Sequence, residues 1–303
     1  MNKESSSYYI PHTLDTLPVE LLYEIHLYAL SPSLPLASRH LYAVFKSAPS
    51  SIHAEYLLGC YLQDATRSSA ARNAGLVSKV LRYPICSQLV LEAILRNPLC
   101  PSHLSGVTEL PRRLFRSLAP RKRGDPHTQL LWSDEDAPLP FLRFLYSHPR
   151  IPPPDANRHD GYVLTKAVYA RFLPLVSFLL THGASPACKG ALPVMVAIRQ
   201  KDLALVRMLI ERDGTVRAES PRKRKAADSA GTQATGAGGT QAGVERWEQG
   251  SGRGVKKRRL EDRVAVNTEM LKLAVKCDAR NIVDYLREKG CVPDMQTLMM
   301  MGM

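Results

Sequence analysis

An all-α fold is predicted by three observations on this 303-residue chain. Apolar residues recur at helical spacing from Leu17 to Phe45, residues 52–96 are helix-rich between isolated breaks, and three later segments repeat one another in fixed columns. Together they predict an N-terminal helical hairpin, connector helices, and a short helical solenoid that carries a disordered insertion. The expected boundaries are a flexible N-terminus at 1–16, the hairpin at 17–50, a connector and loop at 51–137, and repeats at 138–303 interrupted at 214–262.

In the hairpin, Leu17, Leu21, Leu22, Ile25, Tyr28 and Ala29 share one face of a helix over 17–30. Pro18 suits the first helical position, where its missing N–H costs nothing, and Glu20 follows favourably in the first turn. The turn Ser31-Pro32-Ser33-Leu34-Pro35 stops that helix and starts another, striped by Leu36, Ala37, Leu41, Val44 and Phe45. Gly59, Gly75 and Pro84 are the expected breaks in the connector. Residues 97–137 are proline-punctuated, which leaves one helix near 107–118 and then a loop with the acidic trio Asp134-Glu135-Asp136.

The repeat is the most informative feature. Aligning 161–186, 191–214 and 267–294 puts Ala167, Ala197 and Ala274 in one column. Nine residues later stand Val176, Val206 and Val283, then Leu179, Leu209 and Leu286, then Gly183, Asp213 and Gly290. A weaker copy at 138–150 places Leu142 and Leu145 in the Val and Leu columns. A small Ala lets one helix lie close to its neighbour, Val and Leu face the same seam from an antiparallel partner, and Gly ends that partner in a left-handed conformation. No pair can cover its own apolar face, so the pairs stack.

Val176 and Val206 are 30 residues apart, but Val206 and Val283 are 77 apart. Against a repeat of ~33 residues this implies an insertion of about 45 residues, rich in Gly, Ala, Ser, Thr and Gln. Much of the net charge of +13 sits there: 214–263 holds twelve Lys/Arg against six Asp/Glu. Two runs, Arg222-Lys223-Arg224-Lys225 and Lys256-Lys257-Arg258-Arg259, are like monopartite nuclear localisation signals. They predict an import receptor as partner and a nuclear location, with the cytoplasm as a second one. A solvated, charge-rich linker or nonspecific, salt-sensitive contact with nucleic acid would also account for them. A second basic knot, six cations without an acid, lies at 112–123 and reads as a targeting or docking segment.

Several classes are set aside. No 18-residue apolar run is free of charge, so no membrane span is expected, and MNKESSSYYIPHT does not look like a signal peptide. The six cysteines form no CxxC pair and no HExxH occurs, so neither a metal nor a cofactor is expected. His53-Ala54-Glu55 matches half of a zinc deaminase signature, but the P-C-x-x-C that would complete it is absent. The glycines of 231–243 follow no strand and read as linker. No catalytic constellation stands out, and the chain is expected not to be an enzyme.

Two resemblances sharpen the expectation. Gly161, Leu164 and Ala167 fit the G-x-x-L-x-x-A start of the ankyrin repeat, and LVSFLLTHGASP fits its second helix and loop. The opening hairpin resembles the F-box: Leu17, Pro18, Glu20, Leu21, Leu22 and Ile25 fit L-P-x-E-L-L-x-x-I. Leu34, Leu36, Leu41 and Phe45 resemble its Leu-rich second part, with Phe45 where the family often has Trp. This resemblance implies a substrate receptor that binds a Skp-type adaptor and so joins a cullin-based ubiquitin ligase. Leu17, Pro18, Leu21, Leu22 and Ile25 would dock, with Leu36 and Leu41 packing behind or beside them. An unknown protein substrate would meet the turns and first helices of the stack, around Lys166, Tyr169, Arg171, Arg199, Lys201, Lys276 and Asp278. The alternatives are a hairpin that only caps the solenoid, and a nuclear ankyrin scaffold with no ligase link.

Overall fold

The computed structural model describes residues 14–67, 75–104, 106–121, 132–212 and 262–301. Thirteen α-helices are found among them, with one two-stranded parallel ladder of two residues a strand. The chain is mostly helical, as expected.

Helix α1 (Val19–Ala29) follows Pro18, which stands at the cap with an extended backbone and not inside the helix. Leu30 ends it in the left-handed region, its N–H donating to the His26 carbonyl at 3.1 Å. A 3-10 turn (Leu34–Leu36) leads to α2 (Arg39–Lys46), capped by the Ser38 hydroxyl, which accepts from the Leu41 N–H and donates to Asp15. Leu22, Leu41, Val44 and Phe45 form a small core of their own. The expected stripe is rotated. Leu22 and His26 face inward, whereas Tyr28 is 88% exposed, because the His26 ring is held between Phe45 and Tyr56. Leu36 and Ala37 likewise fall outside α2 and are exposed.

Helix α3 (Ser50–Arg67) runs unbroken through Gly59, contrary to the expected break. The glycine serves packing instead: a Cβ there would lie 2.8 Å from Leu30 Cδ2, so its absence lets the end of α1 close onto α3. Helices α4 (Leu76–Val80) and α5 (Gln88–Arg96) both pack on α3. No α-helix forms at 107–118. Strand β1 (Thr108–Glu109) pairs in parallel with β2 (Pro154–Asp155), and a 3-10 turn follows over Arg112–Phe115. The extended stretch is held by tertiary bonds: Ser78 Oγ accepts from the Glu109 N–H and donates to Val107, and Thr108 Oγ1 donates to the Pro152 carbonyl. Pro111 keeps it extended, and the buried ring of Phe115 draws the turn inward.

Beyond α6 (Leu139–Ser147), helices come in pairs: α7 (Arg158–Tyr169) with α8 (Leu173–Thr181), α9 (Cys188–Arg199) with α10 (Leu203–Ile210), and α11 (Thr268–Lys276) with α12 (Arg280–Glu288). The first members pack in a row, α7 on α9 and α9 on α11. A final short helix, α13 (Met295–Met300), lies against α11. The backbone is left-handed at 159–161 and 189–191, so the regular parts of α7 and α9 begin only after these residues.

The repeated columns have a hydrogen-bond explanation. The carbonyls of Ala167, Ala197 and Ala274 accept from the N–H groups of Phe172, Asp202 and Ala279, five residues on. Arg171, Lys201 and Asp278 sit left-handed between them and donate to Val168, Ile198 and Val275. Each first helix therefore closes in a Schellman turn, with the alanine buried in the seam where a longer side chain would force the rows apart. The second helices end the same way at Gly183 and Gly290. Leu142, Leu145, Leu179, Leu209 and Leu286 are fully buried. Val283 is half-buried. One apolar core runs from Ala54 to Cys291, through connector and stack alike.

The insertion lies outside the described residues from 213 to 261, and with it Asp213 and both basic runs. Its two ends meet. Glu211 and Asp262 form an antiparallel bridge, and Arg263 donates to the carbonyls of Met208 and Glu211. Lys289 pairs with both Glu211 and Asp262 at 3.0 Å, while the Tyr285 hydroxyl donates to Glu211. Because the neck is closed by the fold itself, replacing 213–261 by a short Gly-Ser link is expected to leave urea stability unchanged or raise it by up to about 2 kcal/mol through the shorter loop. A large drop in the urea midpoint would mean the insertion is part of the folded core.

Candidate functional site

Two surfaces bring together residues of the kinds expected to act. On the hairpin, burial of Leu22, Val44, Phe45 and Leu41 leaves the opposite sides of α1 and the turn without cover. Leu21 is 44% and Leu36 75% exposed, Pro18 and Val19 are also exposed, and Leu17 and Ile25 are half-buried. Pro35, Leu36, Ala37, Ser38, Arg39 and Tyr42 line a shallow recess beside the turn. Leu22 and Leu41 are 1% and 2% exposed and hold the hairpin together. Leu22 is thus not a docking residue in this conformation, and Leu36 stands on the surface and not behind it. For Leu22 the reason is the rotation of α1 that accompanies the His26 stacking, and for Leu36 its place in the 3-10 turn.

On the stack, the left-handed turns place Arg171, Lys201 and Asp278 at equivalent positions, and Tyr169, Arg199 and Lys276 at another. Tyr169, Arg199, Lys201, Lys276 and Asp278 are exposed, and Lys166 is half-buried with its ammonium 5.3 Å from the Tyr169 ring. Arg171 is engaged within the fold. Its guanidinium donates to the Gln200 backbone carbonyl at 2.9 Å, and Gln200 Nε2 donates back to the Tyr169 carbonyl at 2.9 Å. It ties one turn to the next at the surface. Asp278 is 3.5 Å from the solvent-exposed Arg280.

The basic knot at 112–123 is partly structural where described, with Arg112 and Arg116 exposed. Arg113 donates to the Leu81 carbonyl, Arg112 lies over the Tyr162 ring, and Arg121 lies 3.9 Å over Trp132 and pairs with Asp136. These contacts tie Arg113 and Arg121 into the fold, while Lys122 and Arg123 lie outside the described residues. The acidic trio is partly spent as well, since Asp136 also accepts from Ser133 and Asp134 pairs with Arg143.

Sequence reasoning missed two structural devices. His26 has a buried Nδ1 without a hydrogen-bond partner, in contact with rings from α2 and α3. Asn157 latches the loops of successive pairs: its Oδ1 accepts from the Ser185 N–H at 2.7 Å and its Nδ2 donates to the Gly183 carbonyl. Nothing in the repeat columns marks Asn157, because Ala187 stands thirty residues later at the corresponding place.

Among the described residues no cluster of three or more His, Cys, Asp or Glu could hold a metal ion, and no helix is long and apolar enough to cross a membrane. Burial pushes the thiols of Cys60, Cys86, Cys100 and Cys291 up, that of Cys86 to about 11, which keeps them protonated and poorly nucleophilic. Comparison with protein-family models, curated proteins and solved structures finds no match to this chain.

Proposed function

We propose that this chain is a non-catalytic, F-box-like substrate receptor that brings a protein held on ankyrin-type repeats to a cullin-based ubiquitin ligase through a Skp-type adaptor. The observation that carries this reading is the division of labour in the hairpin. A miniature core satisfies Leu22, Leu41, Val44 and Phe45, yet Pro18, Leu21 and Leu36 remain on the surface. Apolar surface gathered at one end of a chain is the chemistry of a protein docking site. The repeated turns supply the second surface, and the import of such a receptor to the nucleus would fall to the basic runs of the insertion.

The test is capture of a purified Skp-type adaptor. Leu21→Asp/Leu36→Asp is expected to weaken capture about thirtyfold or more, the loss typical of interface anchors. Because both side chains are exposed, the melting of the double variant should stay close to wild type. Absence of capture by the unmodified chain overturns the ligase link. The second reading then follows from the His26 sandwich, which joins the hairpin to α3: the hairpin is an end cap, and the protein is a nuclear scaffold without a ligase.

A further inference from the structure

Some cations of the described fold are held in salt bridges within it. Lys79, Arg82, Arg121, Arg143, Arg158 and Lys289 each have a carboxylate partner. The face made by the first helices of the stack is different. Lys166, Arg199, Lys201 and Lys276 make no salt bridge to a described carboxylate, although all four belong to one continuous surface. Among the described residues the acids near it are Asp160 at the start of α7, Asp202 beside Lys201, Glu269 at one end of α11, and Asp278, which already lies beside Arg280.

The register orders these groups into lanes across the helices. One lane contains Tyr169, Arg199 and Lys276, with Lys201 at the turn beside it. The adjacent lane contains Lys166, Val196 and Leu273, and Met195 lies next to Val196. Met195, Val196 and Leu273 are half-buried: they pack on the core with one side and face outward with the other. A lane that is apolar on α9 and α11 thus runs alongside one that is cationic there, across the helices.

We propose that this face binds an extended acidic segment of a protein, with carboxylates against Arg199, Lys201 and Lys276 and alternate apolar side chains against Met195, Val196 and Leu273. The inference deepens the receptor reading above, on which it rests for calling the occupant a substrate; the chemistry of the face does not depend on it. Crossing from α7 to α11 takes two helix-to-helix steps of ~10 Å each. An extended segment covers that with about six to eight residues, and its side chains alternate in direction as the two lanes require. Nucleic acid fits less well, since the apolar side chains of the face offer nothing to phosphate or sugar.

The experiment is fluorescence anisotropy with the full chain at about 0.1 M salt. The probe is a labelled peptide of about eight residues in which Glu and Leu alternate. Arg199→Glu/Lys276→Glu is expected to weaken its binding about tenfold or more, and a peptide with Ser for Leu should lose a similar factor. A single-stranded oligonucleotide of matched charge should be indifferent to the double variant, so any contact through the insertion cancels in the comparison. Leu21→Asp/Leu36→Asp should leave peptide binding unchanged, which separates failure of this inference from failure of the adaptor link. Wild-type binding no tighter than to the same peptide with Lys for Glu overturns the proposal, as does unchanged affinity in the double variant. An oligonucleotide preference that depends on Arg199 and Lys276 overturns it too, in favour of nucleic acid.

Discussion

Phe172→Ala is expected to cost about 3–5 kcal/mol of unfolding free energy, the range for removing a fully buried aromatic side chain. The ring is 0% exposed and stacks on Trp132 with centroids 4.6 Å apart, and the Arg121 guanidinium lies 3.9 Å from the centre of the Trp132 ring. Trp132 in turn donates its indole N–H to the Ala170 carbonyl at 2.8 Å, within the same turn. Removing Phe172 therefore leaves a cavity and withdraws support from the whole stack. The backbone should not object: Ala279 occupies the equivalent place in the last pair, with the same bond from its N–H to the alanine column. The loss is thus one of packing and not of turn geometry. Urea unfolding followed by circular dichroism measures it, and near-UV dichroism should report the freed Trp132. A cost under about 1 kcal/mol would show that the aromatic stack does not hold the loop to the repeats.

Acidification should loosen the hairpin before the rest of the chain. His26 is 5% exposed, with ring centroids 4.3 Å from Phe45 and 4.1 Å from Tyr56. Burial, and then the positive charge that nearby His53 can carry, lower its pKa from 6.5 to about 4. The groups around it offer no compensating anion: His53 on α3 engages the Phe45 carbonyl, and Tyr56 is neutral at these pH values. A base with a depressed folded pKa favours the fold while it is neutral. Its contribution is complete above about pH 6.5 and is lost as the pH falls towards about 4, to a total of roughly 3 kcal/mol. Melting followed between pH 6.5 and 5, above the range where most carboxylates titrate, should show this slope. His26→Phe, which keeps the stacking and removes the titration, should flatten it. An NMR titration of His26 centred near its ordinary value of 6.5 would contradict the account.

Much of the fold is legible in the residues. The paired helices follow from apolar spacing, and the alanine column from the one place where a helix must close tightly against its neighbour. The position of the insertion follows from the broken interval between Val206 and Val283. The hairpin's two helices are legible too, but their orientation is not. Leu17, Leu21, Leu22 and Ile25 make a consistent stripe on paper, and so does the stripe through Leu22 and His26 that is buried. Periodicity sets the angle between residues and not the angle of the helix against its surroundings. That angle depended on two rings, Phe45 and Tyr56, brought together from α2 and α3.

The candidate surfaces divide in the same way. The exposed cations Arg199, Lys201 and Lys276 could be placed by register, because turn positions recur with the repeat. Arg171 shares the register of Lys201, but its contact with Gln200, 29 residues along the chain, ties it to the next turn. Residues 107–118 had helical composition and became a strand and a turn, since Ser78 and Pro152 offered its backbone and side chains better-placed bonds than a local helix. By itself the sequence determined what is local and periodic: helix content, repeat columns, the interrupted interval and the charge of each segment. Only the tertiary structure decided which polar groups are spent and which apolar side chains remain outside, because both depend on partners far along the chain that no spacing rule connects.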